Sequence, residues 1–454
     1  MSTSLKRSKG SQSSLRIGTF SFWMKVCSQG NNLVMYSNTV ESDNNRGYIQ
    51  LTTDGKWRMV DNDASGDHIV LRTNRKFRDF NAWYHFVVRV DTTQSTNTDR
   101  VRLYINGVQE TSFDETTYPA QNENLKIFEG GQTNREYINR VYGGSAYADN
   151  FMLSHFHFTD GQSYGPDTFG STDSTTGEWK INTSPTVTYG NQGFFMFKDD
   201  ASLNDDSGNG NNWTADSGTV QKTEDNPSNI FATLNPNDVM KQSSGILKPT
   251  YSNGNLTMAN GANDNRQAFA TLSPETGKWY WEMKIDTAAT TGHRIGVFFG
   301  NDKTHSGSYY FGTNAFYIHQ NGEIYYNGSS TTYMASYTAG DIISVAMDVT
   351  NGNIYMSKNG GANDSTWSNG SGANNQAFPG TSINGKLSAS WISGPATPFF
   401  DVYGNGNKQS VNFGNGYFGT TAVSSAGTNA SGIGIFEYDV PTGYTALSTK
   451  GLNL

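Results

Sequence analysis

The chain has 454 residues and a formal net charge of −8, with 35% hydrophobic and 16% charged residues. This length exceeds what one hydrophobic core usually serves, so we expect two main domains. The negative charge argues against a nucleic acid partner, since the one short basic cluster is Lys6, Arg7 and Lys9.

Turn-forming and aromatic residues dominate the remaining composition. The chain has 50 glycines, and Tyr, Phe and Trp make up 13% of it. Glycine favours turns and large rings give strands an apolar face, so we predict an all-β protein of many short strands. No run approaches the roughly 20 apolar residues of a membrane-spanning helix. Residues 1–10 also lack the apolar stretch of a signal peptide. We therefore expect the protein to be made in a cytoplasm and not to insert into a membrane.

Period-two alternation predicts the strands of the first half. The predicted strands are residues 19–25, 47–51, 56–60, 68–71, 83–90, 100–105, 151–158 and 194–197. Cys27, the single cysteine, is expected to fill a strand and excludes an intrachain disulfide. Asn106-Gly107 predicts a tight hairpin turn, because both residues tolerate positive φ. Residues 1–15 are interpreted as an amino-terminal arm, followed by a β-sandwich over residues 16–200.

The alternation stops after the first sandwich and later resumes. Residues 201–244 are rich in Asp, Asn, Ser and Gly, which predicts a linker or surface crossing with a domain boundary near Asp225. In the second domain, residues 245–454, strands are predicted at 279–285, 295–299, 315–319, 342–349, 354–357, 387–392 and 411–413. Short, regularly spaced strands in both halves favour two β-sandwiches joined by an Asn/Gly/Ser-rich linker.

Longer blocks of sequence resemble two known families. FSFWMKV (20–26), WYHFVVRVD (83–91) and VRLYINGV (101–108) resemble the laminin G-like branch of the concanavalin A-like jelly rolls. GKWYWEMKI (277–285), RIGV (294–297), GDIISVAMD (340–348) and GNIYMSKNG (352–360) resemble a SPRY domain, as do the closing segments VYG (402–404) and VNFG (411–414). The insertion at residues 361–378 departs from that pattern. The resemblance implies two concanavalin A-like jelly-roll sandwiches.

Three further segments resemble proteins of tailed phages of marine bacteria: FTDGQ (158–162), DSGNGNNW (206–213) and VPTGYTAL (440–447). The resemblance implies a virion surface protein, such as a tail fibre or receptor-binding component that recognises a host surface glycan or protein. It also implies other virion proteins as partners and a homo-oligomer, with a trimer as the first expectation. The alternative is a head decoration or capsid fibre protein that docks on capsid subunits, with the polar, basic residues 1–15 as its arm.

Catalysis is not expected from the carboxylates, although concanavalin A-like folds include glycan hydrolases. Such an enzyme needs two or three carboxylates on one strand face. Glu282 and Asp286 share a face, but Lys284 lies between them, and we interpret this face as a solvated strand surface. The protein is therefore predicted to be non-enzymatic, with a jelly-roll glycan hydrolase as the third alternative.

Metal ligands are sparse in the sequence. His155 and His157 share a strand face without an evident third ligand, so a solvated or partly packed pair is expected. Calcium is the one cofactor that the oxygen-rich loops suggest. Residues 61–67 copy the first half of an EF-hand loop, but Arg72 stands where the bidentate Glu belongs, which favours a hairpin turn. Asp205, Asp206 and Asn209 belong to a denser loop, for which an irregular turn is the alternative.

Exposed aromatic residues would mark a glycan site, because a sugar stacks its C–H face on a ring while Asn and Asp bind its hydroxyls. The loop candidates for glycan or partner binding are Tyr309, Tyr310, Tyr333, Tyr337 and Trp367. The alternative is that these rings pack against the sandwich edge or an adjacent subunit. Tryptophans within predicted strands, namely Trp23, Trp83, Trp279 and Trp281, are expected in the core.

Overall fold

Strands joined by polar turns make up most of the chain. The structure is a computed structural model that describes residues 3–38, 45–129, 135–141, 144, 150–238, 241–242, 245–290, 292–300, 315–326, 329–361 and 394–453. The chain folds into two compact units, Met1–Lys222 and Thr223–Leu454. No helix in these described ranges is long and apolar enough to cross a membrane.

The first unit is a β-sandwich. In chain order its strands are β1 (Ser4–Ser8), β2 (Ile17–Val26), β3 (Asn32–Asn38), β4 (Arg46–Leu51), β5 (Lys56–Asp63), β6 (Gly66–Lys76), β7 (Trp83–Asp91), β8 (Val101–Ile105), β9 (Val108–Glu110), β10 (Phe113–Thr117), β11 (Arg135–Ile138), β12 (Phe151–Asp160), β13 (Gly170–Thr172), β14 (Trp179–Ile181), β15 (Phe194–Met196) and β16 (Thr214–Ser217). Helical structure is limited, within the part described, to α1 (Asn97–Arg100) and a 3-10 turn (Pro166–Thr168).

Two large sheets enclose the core of this unit. Among the described residues, one sheet has eight strands in the order β10-β6-β5-β4-β3-β11-β1-β16, and the other has six in the order β15-β12-β2-β7-β8-β9. Phe20 and Phe22 of β2 meet Ile49 and Leu71 of the other sheet in one apolar cluster. The alternate side chains of β2, such as Trp23, are also buried. The six-stranded sheet is therefore covered on both faces along β2.

The amino-terminal residues are part of a sheet. Strand β1 lies between β11 and β16, with Leu5 opposite Ile138. Arg7 and Lys9 are buried and both pair with the carboxylate of the buried Glu136. Desolvation opposes this charge, but Arg7 and Lys9 hold the pKa of Glu136 below its usual value. The prediction of an amino-terminal arm is wrong for residues 4–8, which form a strand of the sheet, because the carboxylate that pairs with Arg7 and Lys9 lies inside the domain.

The predicted linker is also packed on the domains. Trp213 is buried in the first core, and β16 pairs with β1. Further along, Leu234 is buried in the core of the second unit, while Phe231 lies in a cluster on one of its outer faces. In the described part of residues 201–244, these apolar side chains anchor the chain to the domains, which agrees with the predicted surface crossing and not with a linker. The predicted boundary near Asp225 lies beside the division between the two units.

The second unit is a second β-sandwich. Its strands in chain order are β17 (Lys241–Gln242), β18 (Gly245–Ile246), β19 (Thr250–Ser252), β20 (Thr257–Ala259), β21 (Asn265–Phe269), β22 (Lys278–Thr287), β23 (His293–Phe299), β24 (Ala315–His319), β25 (Glu323–Tyr326), β26 (Ser329–Thr332), β27 (Ile342–Asp348), β28 (Asn353–Lys358), β29 (Ala396–Tyr403), β30 (Lys408–Asn412), β31 (Tyr417–Phe418), β32 (Thr421–Ala422) and β33 (Thr445–Ala446). Two 3-10 turns are Asn359–Gly361 and Gly451–Asn453.

Its two main sheets pack over a core rich in aromatic residues. Within the described ranges, one sheet runs β19-β20-β30-β22-β27-β28 with β33 beside β22, and the other runs β21-β29-β23-β24-β25-β26. Trp279, Trp281 and Met283 of β22 enter the core with Phe400. On the opposite face of β22, Tyr280 is buried in a separate cluster with Phe436, Val440 and Ala446 of the carboxy-terminal segment.

The all-β fold with two β-sandwiches is confirmed. Asn106 and Gly107 have φ values of 48° and 80° between β8 and β9, as the hairpin prediction requires. Trp23, Trp83, Trp279 and Trp281 are all buried, as is Cys27 directly after β2. The predicted strand at residues 387–392 and all but the first residue of the insertion 361–378 lie outside the described residues.

Candidate functional site

The tyrosines predicted to bind glycan include two that the structure describes, and both are buried. Tyr333 and Tyr337 are 6% and 2% exposed and belong to the core cluster of the second unit. The Tyr337 hydroxyl lies 2.9 Å from the carbonyl oxygen of His293, to which it donates. Burial raises the pKa of both phenols. Both rings are therefore packed, which is the alternative given for these candidates, because backbone carbonyls accept their hydroxyls inside the core; neither position presents the exposed ring that a glycan site needs. Tyr309, Tyr310 and Trp367 lie outside the described residues.

The oxygen-rich loop after β15 is held by its own hydrogen bonds. Asp205 Oδ1 accepts from the backbone N–H groups of Phe195 and Ser207, and Oδ2 accepts from the N–H of Asn211. Asn209 Nδ2 donates to the carbonyl oxygen of Gly190 at 2.6 Å. Asp205 and Asn209 therefore serve an irregular turn.

Asp206 is the third residue predicted to bind calcium in this loop. It is exposed, and desolvation together with nearby Asp200 and Asp199 raises the pKa of its carboxyl. Across the described ranges, no group of three or more His, Cys, Asp or Glu side chains is placed to hold a metal ion. Calcium binding by Asp205, Asp206 and Asn209 stays a prediction.

The EF-hand-like loop at residues 61–67 is a β-hairpin. Strands β5 and β6 pair across it, and the Ser65 N–H donates to Asp63 Oδ1. Asp61 is buried and accepts the backbone N–H groups of Lys126 and Ile127. Desolvation raises the pKa of Asp61 to about 7. This carboxylate therefore fixes a neighbouring segment of the chain.

Glu282, the nearest candidate for a catalytic carboxylate, is buried on the outer face of β22. Its two oxygens accept the backbone N–H groups of Glu437 and Tyr438, at 3.0 and 2.9 Å. They also accept the Tyr280 hydroxyl and the Asn412 amide. Desolvation raises the pKa of Glu282 to about 7. The prediction of a solvated surface is wrong here, because the carboxy-terminal segment covers this face.

Three histidines form a buried cluster in the first unit, which we call the histidine cluster: His85, His155 and His157. Strand pairing brings them together, since Trp23 lies opposite both His85 and Ser154. A register shift between Ser154 and His157 gives His155 a positive φ of 49°. His85 was missed in the sequence because its neighbours across the sheet are far away in the chain. The signal that the sequence offered was the position of His85 within the alternating strand predicted at residues 83–90.

Aromatic and hydroxyl groups cover the histidine cluster. Trp179 Nε1 donates to His85 Nδ1 at 3.0 Å, and His157 Nδ1 lies 2.9 Å from the Tyr189 hydroxyl. Burial lowers the pKa of His85 to about 3 and that of His155 to about 4. Burial also lowers the pKa of His157. The cluster is neutral at pH 7, and the expected solvated or partly packed His155 and His157 are both packed.

A polar groove lies on the outer face of the second sandwich, beyond the part that the carboxy-terminal segment covers. It has a volume of about 290 Å³, and we call it the lysine groove. Its lining includes Asn253, Lys284, Asp286, Thr287, Gly340, Lys408, Ser410, Phe418, Gly419, Thr420 and Thr421. Strands β22 and β30 place Lys284 opposite Ser410 and Thr287 opposite Lys408. Among the residues that the structure describes, this groove is an open concave site that can hold a ligand.

The fold and these sites define an all-β protein with two concanavalin A-like sandwiches. Residues 7–152 match the family model described as concanavalin A-like lectin/glucanases superfamily, and residues 278–395 match the SPRY domain model. The chain therefore pairs an amino-terminal laminin G-like domain with a carboxy-terminal SPRY domain. No curated protein matches it.

Two solved structures are similar to parts of the chain. The SPRY domain of human HERC1 is 17% identical, covers 39% of this chain and 96% of its own, and has a TM-score of 0.28. The native heptameric SAP-like pentraxin from Limulus polyphemus is 16% identical, covers 34% of this chain and 69% of its own, and has a TM-score of 0.25.

Proposed function

We propose that this protein is a non-enzymatic binding component of a bacteriophage particle. Its place is a tail fibre or receptor-binding assembly, where it contacts a host surface glycan or protein and other virion proteins. The resemblance of residues 158–162, 206–213 and 440–447 to tailed-phage proteins supports the assignment to a virion. Rigid sandwiches that carry loops and a groove suit recognition, because the scaffold holds the binding groups in place.

The observation that carries the binding role is the use made of Glu282. A jelly-roll hydrolase needs carboxylates open to the glycosidic bond. The two carboxylate oxygens of Glu282 instead accept hydrogen bonds from four donors of the same chain, and the side chain is buried. Asp286, its partner on the same face, lies in the lysine groove, where Ser410 donates to it. This arrangement favours binding over hydrolysis.

The head-decoration alternative loses its main support. It relied on residues 1–15 as an arm that orders on capsid subunits. Residues 4–8 are a strand between β11 and β16, and Arg7 and Lys9 both pair with the buried Glu136 inside the domain. A symmetric homo-oligomer, with a trimer as the first expectation, remains part of the proposal because of the resemblance to fibre-type phage proteins.

Mass spectrometry of purified particles tests the virion assignment, and gold-labelled antibody on intact particles tests the position. We expect the polypeptide among the structural proteins and the label at the tail. Label confined to the head would replace the tail-fibre role with head decoration. Absence of the polypeptide from particles that infect normally would refute the virion assignment.

A further inference from the structure

We infer that the lysine groove binds an acidic sugar residue, one that carries a carboxylate group. This inference rests on the proposed function and names the ligand class for one site. It starts from two cations, Lys284 and Lys408, that line the same concave surface. The ligand is a unit of a charged surface polysaccharide.

The charges of the groove favour an anion. Neither Lys284 nor Lys408 has an ion pair with any residue that the structure describes. Lys278 and Lys358 of this unit are paired by contrast, with Asp348 at 3.4 Å and with Asp341 at 3.3 Å. Lys284 Nζ lies 5.9 Å from the ring centroid of Phe418, which holds it in place. In a chain of net charge −8, two such lysines in one groove are a local positive surplus.

A chain of hydrogen bonds orients the one carboxylate of the groove. Asn253 Nδ2 donates to Thr257 Oγ1 at 3.1 Å, and the Thr257 and Ser410 hydroxyls lie 2.8 Å apart. The Ser410 hydroxyl donates to Asp286 Oδ2 at 2.6 Å. The other oxygen of Asp286 accepts no hydrogen bond from the residues that the structure describes, so it can accept one from a ligand hydroxyl. A ligand with both an anionic group and hydroxyls matches two lysines and one fixed carboxylate.

The size and walls of the groove fit a small unit. Its volume of about 290 Å³ lies at the lower end of ordinary ligand sites, which suits a single sugar residue. Gly419 has a φ of 60°, and an added Cβ would meet Thr257 Oγ1 at 2.6 Å. The wall beside the hydrogen-bonded hydroxyls therefore needs glycine. Thr287 and Thr421 are exposed at the rim and offer further hydroxyl partners.

Isothermal titration calorimetry on the purified full chain tests the inference with three probes: oligogalacturonide, a neutral dextran oligomer and poly-glutamate. We expect the oligogalacturonide alone to bind, with affinity that falls as sodium chloride rises. Changing Lys284→Gln and Lys408→Gln together should weaken binding at least about tenfold, because two charge-assisted contacts are lost. Lys450→Gln, an exposed lysine outside the groove, is the matched control and should bind like the wild type.

Other outcomes overturn the inference. Equal affinity of the double variant and the wild type would do so, as would no binding of oligogalacturonide or tighter binding of poly-glutamate. Thr421→Glu, at an exposed rim position, adds a negative charge without touching the lysines. This variant should also weaken binding about tenfold, and it provides the test if the double lysine variant does not fold.

Host-cell adsorption separates this inference from the proposed function. Adsorption that is the same for wild type and groove variants would refute the groove assignment and leave the proposed function standing. Binding of oligogalacturonide by a protein that is absent from virions would refute the proposed function and leave the groove assignment standing.

Discussion

Acidification should weaken the first sandwich through the histidine cluster, and His155 isolates the effect. The ordinary histidine pKa of 6.5 is lowered by burial to about 4 at His155, with Asp199 and Lys198 acting in opposite directions nearby. Because the folded pKa is the lower one, stability is complete above about pH 6.5 and is lost as the pH falls toward 4. Between pH 7.5 and 5, the unfolded chain gains a proton that the folded chain excludes. The loss is about 2 kcal/mol for this residue.

His155→Asn is the matched substitution, because asparagine tolerates the positive φ of 49° and does not titrate. The loss of histidine packing lowers the free energy of unfolding equally at both pH values. The difference in this free energy between the variant and the wild type should therefore change by about 2 kcal/mol in favour of the variant as the pH falls from 7.5 to 5. The comparison also cancels Asp61, whose pKa of about 7 acts in the opposite direction.

Urea unfolding read by pulsed hydrogen exchange measures this difference in one domain. Labelling under fixed conditions, followed by mass spectrometry of a peptide over residues 151–160, reports the unfolded fraction of the first sandwich alone. A relative gain below about 0.5 kcal/mol, or a change of opposite sign, would show that His155 does not stay neutral in the folded state.

Three further substitutions test the interior contacts. Glu136→Gln should cost the first sandwich about 3 to 5 kcal/mol in urea unfolding, because Arg7 and Lys9 stay buried without their carboxylate; a loss under 1 kcal/mol would contradict their burial. Glu282→Ala should cost the second sandwich about 3 kcal/mol and make residues 436–438 accessible to limited proteolysis, whereas the exposed Glu275→Ala should do neither. An unchanged cleavage pattern would show that Glu282 does not hold residues 437 and 438 on the sheet. Gly296→Ala should lower the free energy of unfolding by about 2 kcal/mol, because its Cβ would overlap the Phe316 carbonyl oxygen. Gly261→Ala is the control and should be neutral, because its Cβ meets no atom within 4 Å. Equal melting temperatures for the two variants would contradict the close pairing of β23 with β24.

Local sequence pattern was sufficient for many of the strands and for the two sandwiches, but it missed others, such as β3 and β29. Alternation placed Phe20 and Phe22 in one core and Trp281 in the other, and Asn106-Gly107 gave the turn. These features depend on neighbours within a few residues, where the period of two is visible.

Contacts between distant segments were not accessible to the same reasoning. Polar positions on the outer strand faces indicated solvent, but the carboxy-terminal segment covers Glu282 and the residues around Trp179 cover His85. Arg7 was expected on a free arm because its partner, Glu136, is remote in the chain. The environment of Tyr337 was left open, because a tyrosine in a polar loop suits either the surface or the interior until its hydroxyl partner is known.

The central claim is that the protein binds a surface polysaccharide without cleaving it. Light scattering of the purified chain, mixed with polysaccharide extracted from the host surface, follows complex formation and polymer length together. The account predicts a stable complex and an unchanged polymer mass after protein removal. A falling polymer mass with new reducing ends would contradict it.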